Sequence, residues 1–174
     1  MAILCVVSFV SFNTYAKKGK STPKKTKQTS QIIKEGYYYI CAADNPNYVI
    51  GCDPKEDLIY QNINLCRYNG SDAQKWYIHY WKSERINLYI ISSALDENVV
   101  ISVGDSDPFC FLSEYNFESD ENEIWQIEKN GNNAYHIRTL YGGNGVIGKD
   151  KDSLIYIYLD EDPNSHDWIL RPVK

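Results

Sequence analysis

Val49-Ile50-Gly51-Cys52-Asp53 and Val146-Ile147-Gly148-Lys149-Asp150 differ at a single position, and they lie in opposite halves of a 174-residue chain. A short string written twice at such a distance points to a unit built by repetition, which must be settled before any element is assigned. Tryptophan marks the units more clearly. Trp76 stands in QKWYIHY, Trp125 in EIWQIEK and Trp168 in HDWILRP, and each is followed two residues later by an aliphatic side chain: Ile78, Ile127 or Leu170. That alternation is the signature of a strand with one buried face. Upstream of each tryptophan lie Tyr38-Tyr39-Ile40, Leu88-Tyr89-Ile90 and Tyr135-His136-Ile137. Nine residues after each of those isoleucines a valine opens an apolar pair: Val49-Ile50, Val99-Val100 and Val146-Ile147. The tryptophans are 49 and 43 residues apart, so the units differ in their loops.

A unit of about four short strands cannot bury its own apolar face, whereas three such units supply about twelve strands, enough to close a barrel and remove its edges. Fifteen tyrosines and an aromatic content of 14% suit pleated, half-buried surfaces. No segment sustains a 3.6-residue apolar period. The expected fold is therefore all-β: three repeats, spanning about 35–84, 85–131 and 132–174, closing a threefold barrel. A propeller needs more blades, and a sandwich would not produce threefold order.

The net charge of −5 hides an asymmetry. Residues 17–34 hold seven lysines and no acid, while the chain from Glu35 onward carries 11 basic residues against 23 acidic ones. Before the basic segment, MAILCVVSFVSFNTYA (1–16) has the apolar run and small terminal residue of a secretory signal peptide and is too short to span a bilayer. The expected product is a secreted chain with no membrane span, carrying a flexible arm (17–34) before an acidic domain (35–174). The arm is too poor in apolar residues to fold. Lys17, Lys18 and Lys20, then Lys24, Lys25 and Lys27, repeat a Lys-Lys-x-Lys cluster that fits sulfated polysaccharides as well as it fits a solvated tether. Nucleic acid is a poor partner for a domain this acidic.

Secretion leaves four cysteines, Cys41, Cys52, Cys66 and Cys110, and an even number in an oxidising compartment suggests two disulfides. Cys52–Cys66 is the preferred pair because it closes a short local loop. No Cys-x-x-Cys is present and the three histidines are scattered, so neither metal nor cofactor is expected. Asn69-Gly70-Ser71 is the clear N-glycosylation signal.

Three units, each closing on a Gln-x-Trp-like motif, resemble the ricin B-type lectins, and the resemblance covers residues 35–174. It implies the β-trefoil fold and glycan binding in shallow pockets, up to one per unit. The first unit has Gln74-Lys75-Trp76, while the others have Glu123-Ile124-Trp125 and His166-Asp167-Trp168. Cys66, ten residues before Trp76, also stands where that family often has a disulfide cysteine. A sugar site needs a carboxylate to accept from two hydroxyls, an aromatic ring for the apolar C–H face, and an amide. The resemblance would put the acid at Gly51, Ser102 or Gly148, none of which is acidic; the nearest carboxylates are Asp53, Asp105 and Asp150. On this reading the third unit offers Asp150, Tyr156, Tyr158, Asn164 and His166. The first offers Asp53, Asn64 and Gln74, with Tyr60 or Tyr68 as rings, and the second offers Asp105, Phe109 or Phe111, and Asn122. Each also has a bland reading: tyrosines pack, an aspartate near a glycine makes a turn, and Gln74 is mainly structural. The three motif tryptophans are expected in the core.

Enzymatic motifs are missing. No serine sits in Gly-x-Ser-x-Gly, no carboxylate pair stands out, and the glycine-rich 141–145 segment lies between strands rather than before a helix. Two functions follow as expectations. One is a non-catalytic, secreted carbohydrate-binding protein acting on glycans or glycoproteins, in adhesion to host or matrix surfaces. The other is a structural or interaction trefoil of a secreted coat or wall assembly, its sugar sites degenerate and its lysine arm a docking element.

Overall fold

The structure, a computed structural model, describes residues 33–81, 86–104, 109–116, 121–131, 133–142, 145–149, 154–158 and 167–174. The expected signal peptide and the six clustered lysines of the arm lie outside these residues, as do Asp105, Asp150, Asn164 and His166; of Tyr158 only the backbone is described.

Among the described residues, twelve strands form one continuous sheet. They are β1 (Gly36–Ala42), β2 (Tyr48–Gly51), β3 (Asn64–Arg67), β4 (Trp76–Trp81), β5 (Leu88–Ser93), β6 (Val99–Val103), β7 (Cys110–Glu114), β8 (Trp125–Asn130), β9 (Ala134–Thr139), β10 (Val146–Lys149), β11 (Ile155–Tyr158) and β12 (Trp168–Pro172). Antiparallel pairing runs β1–β4–β5–β8–β9–β12 and returns to β1, which closes a six-stranded barrel. The remaining strands form three hairpins, β2–β3, β6–β7 and β10–β11, which meet through the bridges Asn62↔Phe111, Asn64↔Leu154 and Phe109↔Tyr156. A six-stranded barrel with a threefold hairpin triplet is the β-trefoil. Among the described residues, two single-turn 3-10 helices, Asp72–Gln74 and Glu121–Glu123, precede Trp76 and Trp125.

The repeat is written in the core. Trp76, Trp125 and Trp168 are buried, and their indole N–H groups donate to Ile50, Ile101 and Ile147 carbonyls at 2.9, 3.0 and 2.9 Å. Burying so large a ring is favourable only when its N–H finds a partner, and each hairpin supplies one at the same place. The equivalent isoleucines correct the sequence alignment of the middle unit by one residue. Ile101 matches Ile50 and Ile147, so Val100-Ile101 is the counterpart of Val49-Ile50. Ile78↔Ile91 and Ile127↔Ile137 pair at the same step, which makes Ile91 rather than Ile90 the counterpart of Ile137. The nine-residue spacing survives the shift. The folded part also begins earlier than composition suggests. Ile33, assigned to the arm, is buried in the core and donates its N–H to the Tyr89 hydroxyl at 3.0 Å.

Candidate functional site

In the first unit, β2 ends at Gly51, opposite Asn64 at the start of β3. Cys52 N–H is then caught by the Ala73 carbonyl at 3.0 Å, which ties the strand end to the 3-10 turn before Trp76. Asp53 opens the connecting loop as a turn residue, its Oδ1 accepting from Lys55 N–H at 3.0 Å. Gln61 clamps this loop from the far side: its Oε1 accepts from Asp53 N–H at 2.6 Å and its Nε2 donates to the Asp53 carbonyl at 3.1 Å. Asp53, Asn64 and Gln74 thereby come to line one open cleft of about 430 Å³, with Arg67, Asn69 and Ser71 on its rim.

Gln74 builds the wall of this cleft. Its Oε1 accepts from Asn69 and Gly70 N–H at 2.8 and 3.2 Å, and its Nε2 donates to the Arg67 carbonyl and the Cys66 sulfur at 2.8 and 3.1 Å. Both donors and both lone pairs are used, so Gln74 shapes the cleft while the exposed Asp53 and Asn64 offer polar atoms to it. Neither expected ring lines the cleft. Tyr68 packs edge-on to Tyr39 and under the Arg171 guanidinium, 4.2 Å from its ring centre; Tyr60 lies over Phe111.

The acid suggested by family resemblance has no room at Gly51. A Cβ there would stand 2.8 Å from the Cys66 sulfur and 3.2 Å from both the Ala73 carbonyl oxygen and Gln74 Cγ. In the second unit the same position, Ser102, is buried and hydrogen-bonds Ser113, whose hydroxyl donates to Glu123 Oε1 at 3.1 Å. Glu123 occupies the place of Gln74 and takes Asn116 N–H on its other oxygen at 3.1 Å. In the third unit, Tyr156 packs on Phe109 of the second, ring centres 4.3 Å apart, and joins the hairpin triplet.

All four described cysteines are free thiols, so the expected Cys52–Cys66 bond is not formed in the structure. The two sulfurs line the same cleft but turn to different carbonyls, Cys52 to Ala73 and Cys66 to Val49, each at 3.5 Å. Burial pushes the Cys52 thiol up to about 11 and raises Cys66 as well, the latter eased by the Gln74 amide. Among the described residues no three His, Cys, Asp or Glu side chains group to hold a metal ion.

A second cleft, of about 380 Å³, was not singled out from sequence. Tyr77, His79 and Trp81 project from β4, Glu97 and Asn98 from the β5–β6 turn, and Tyr115 follows β7. Its signal was present as alternation in Trp76-Tyr77-Ile78-His79-Tyr80-Trp81: with Trp76, Ile78 and Tyr80 turned to the core, Tyr77, His79 and Trp81 must face out.

The chain is a β-trefoil, and it shares that fold with solved structures of low sequence identity. A mosquitocidal holotoxin matches at 19% identity with a TM-score of 0.73, over 82% of this chain and 18% of its own, so the chain spans less than a fifth of that protein. The designed threefold-symmetric protein ThreeFoil matches at 16% identity and a TM-score of 0.67, over 79% of this chain and 99% of its own. The β-trefoil lectin of the Vibrio vulnificus hemolysin/cytolysin, solved with N-acetyl-D-lactosamine bound, matches at 12% identity and a TM-score of 0.60, over 82% of this chain and 99% of its own. No family model matches the chain, and no curated protein matches it in sequence.

Proposed function

We propose that the chain is a non-catalytic, secreted glycan-binding β-trefoil whose first-unit cleft receives sugar hydroxyls. The observation that carries this reading is the convergence of the polar side chains Asp53 and Asn64 and the Gln74-built wall on one open cleft. Asp53 would accept from vicinal hydroxyls, and Asn64 would both donate and accept. Trefoil lectins solved with bound saccharides support the reading, as does the use of this fold within a holotoxin and a cytolysin, where it accompanies larger machinery. Individually weak contacts of this kind gain strength when several engage one surface, which suits adhesion. The lysine arm adds a separate affinity for sulfated polysaccharides.

One observation favours the alternative, an interaction trefoil without sugar sites: Gly51 packs so tightly that the acid position cannot be restored. A glycan array probed with the full chain, its Asp53→Ala variant, and a variant with the six clustered lysines changed to Gln separates the readings. Binding to neutral glycans that falls at least tenfold in Asp53→Ala supports the lectin. Binding to sulfated glycans alone, lost with the lysines, places the activity in the arm, and silence from all three proteins supports the interaction trefoil.

A further inference from the structure

Three strand pairs of the barrel carry equivalent outward positions, and two of these faces are closed. On β8–β9 they are Gln126, Glu128, Asn130, His136 and Arg138. Glu128 takes Gln126 Nε2 at 2.7 Å and Arg138 Nε at 3.3 Å, while Asn130, His136 and Asp167 converge with contacts of 3.0, 2.8 and 2.9 Å. On β12–β1 the Arg171 guanidinium lies over Tyr39 and Tyr68, at 5.3 and 4.2 Å from the ring centres, beside an apolar cluster of Tyr39, Cys41 and Val49 against Ile169 and Val173. Side chains of each face are spent on one another. On β4–β5 the same positions hold Tyr77, His79 and Trp81 with Ile90 and Ser92, and this face is left as the 380 Å³ cleft.

The walls of this cleft are held in place from behind. Tyr37 packs edge-on to Tyr77, ring centres 5.0 Å apart at 72°, and the Tyr77 and His79 rings follow at 6.2 Å and 33°. The Tyr37 hydroxyl donates to Glu97 Oε1 at 2.8 Å, which fixes the carboxylate beside the aromatic row. Tyr115 N–H donates to the Asn98 carbonyl at 2.7 Å, and Asn98 N–H to Asp96 Oδ1 at 2.9 Å, so the turn that supplies the polar groups is itself tied down. Rings rooted on strands lose little freedom when a ligand stacks on them.

We propose that this face is a second glycan site, distinct from the Asp53 cleft, which takes one neutral pyranose. The sugar's apolar C–H face lies on the Trp81–Tyr77 row, while Glu97 accepts from its hydroxyls and Asn98 and Ser92 complete the polar set. The volume falls within the range of small-ligand pockets. The charge around it selects against anionic sugars: Glu97 stands in the wall and Glu35 contacts His79 at 3.5 Å. Among the described residues no lysine lines this cleft, so its chemistry complements the arm rather than duplicating it.

Trp81 reports on this site by itself. Of the four tryptophans, Trp76, Trp125 and Trp168 are buried, and Trp81 alone is partly exposed, on the cleft. The full chain is titrated with galactose, N-acetylgalactosamine, glucose, mannose, N-acetylglucosamine and lactose while tryptophan emission is followed, with sialyllactose as the anionic comparison. At least one neutral sugar is expected to give a saturable change. Trp81→Phe should abolish that change, and Glu97→Gln, which keeps an acceptor for Tyr37, should weaken it at least fivefold. Asp53→Ala should leave it intact, even where that variant loses binding on the array. The proposal is overturned if none of the neutral sugars alters the emission, if sialyllactose alone does so, if Glu97→Gln binds as the parent does, or if Asp53→Ala removes the response.

Discussion

The first and second units place different groups at one point of the same scaffold. Gln74 and Glu123 each end a 3-10 turn just before a buried tryptophan, and each accepts from backbone N–H groups of the loop upstream. The amide also has donors to give, and it spends them on the Arg67 carbonyl and the Cys66 sulfur. The carboxylate has none, so it gathers donors instead, through Ser113 and then Ser102. In the first unit the neighbouring strand end carries glycine, and a cleft remains; in the second it carries a serine, and a buried network takes its place. One repeated skeleton therefore tolerates opposite hydrogen-bond polarity at its key position, provided that every buried polar atom is paired.

The largest expected effect tests what the two units share. Trp76→Ala and Trp125→Ala should each destabilise the chain by about 3–5 kcal/mol, the usual cost of emptying a large buried site. Because the two indoles are equally buried and bond to equivalent carbonyls, the two costs should agree within about 1 kcal/mol, the depth of the two sites being alike. Urea unfolding of both variants measures this, and a markedly cheaper Trp125→Ala would mean that the second unit is not a full copy.

Next come two substitutions confined to the first unit. Gly51→Ala places a methyl 2.8 Å from the Cys66 sulfur and against the Ala73 carbonyl, which overpacks the strand end by about 1–3 kcal/mol. Ser102→Ala, at the matching position of the second unit, fits without a clash and should show no overpacking in the same melts. Gln74→Glu turns two donors into acceptors that face the Arg67 carbonyl and the Cys66 sulfur. That leaves a buried carboxylate opposed by a carbonyl, at a cost of about 1–3 kcal/mol near neutral pH. Its folded pKa must rise above the unfolded value of about 4.3. The sign follows: below about pH 4 the protonated acid carries no charge penalty, and the loss of stability relative to the parent grows as pH rises through the folded pKa. Thermal melts at pH 4 and pH 7 should differ in that direction.

How much of this was legible in sequence depended on which side chains faced inward. The threefold order was readable because Trp76, Trp125 and Trp168, with Ile78, Ile127 and Leu170, must share one buried face. The middle unit slipped by one residue because Leu88-Tyr89-Ile90-Ile91 and Val99-Val100-Ile101 are apolar throughout; alternation disappears where both faces are covered, and β5 and β6 are buried along their length. The first-unit cleft was readable through Asp53, Asn64 and Gln74, since loop and strand-end residues remain near one another in sequence. The aromatic cleft was not, because its parts come from β4, β5, the β5–β6 turn and the residue after β7, and only the pairing of β4 with β5 and of β6 with its two neighbours brings them together. The steric reason for Gly51 was equally hidden, since it lies in Cys66 and Gln74 across the hairpin.

The smallest expected effect is the sharpest test of the comparison. Glu123→Gln should cost less than about 1 kcal/mol, although it is formally the reverse of a damaging change. The new amide oxygen still accepts from Asn116 N–H, and its NH2 meets the Ser113 hydroxyl, which can accept because its own proton can turn to Ser102, the donor of the pair in the parent. A hydroxyl pair can reverse its polarity; the Arg67 backbone carbonyl cannot. Glutamine should therefore be tolerated in both units and glutamate only in the second, an asymmetry read directly from the denaturation midpoints of the two exchanges. If Glu123→Gln cost as much as Gln74→Glu, the serine pair would not be the adaptable element, and the second unit would depend on the charge of Glu123 itself.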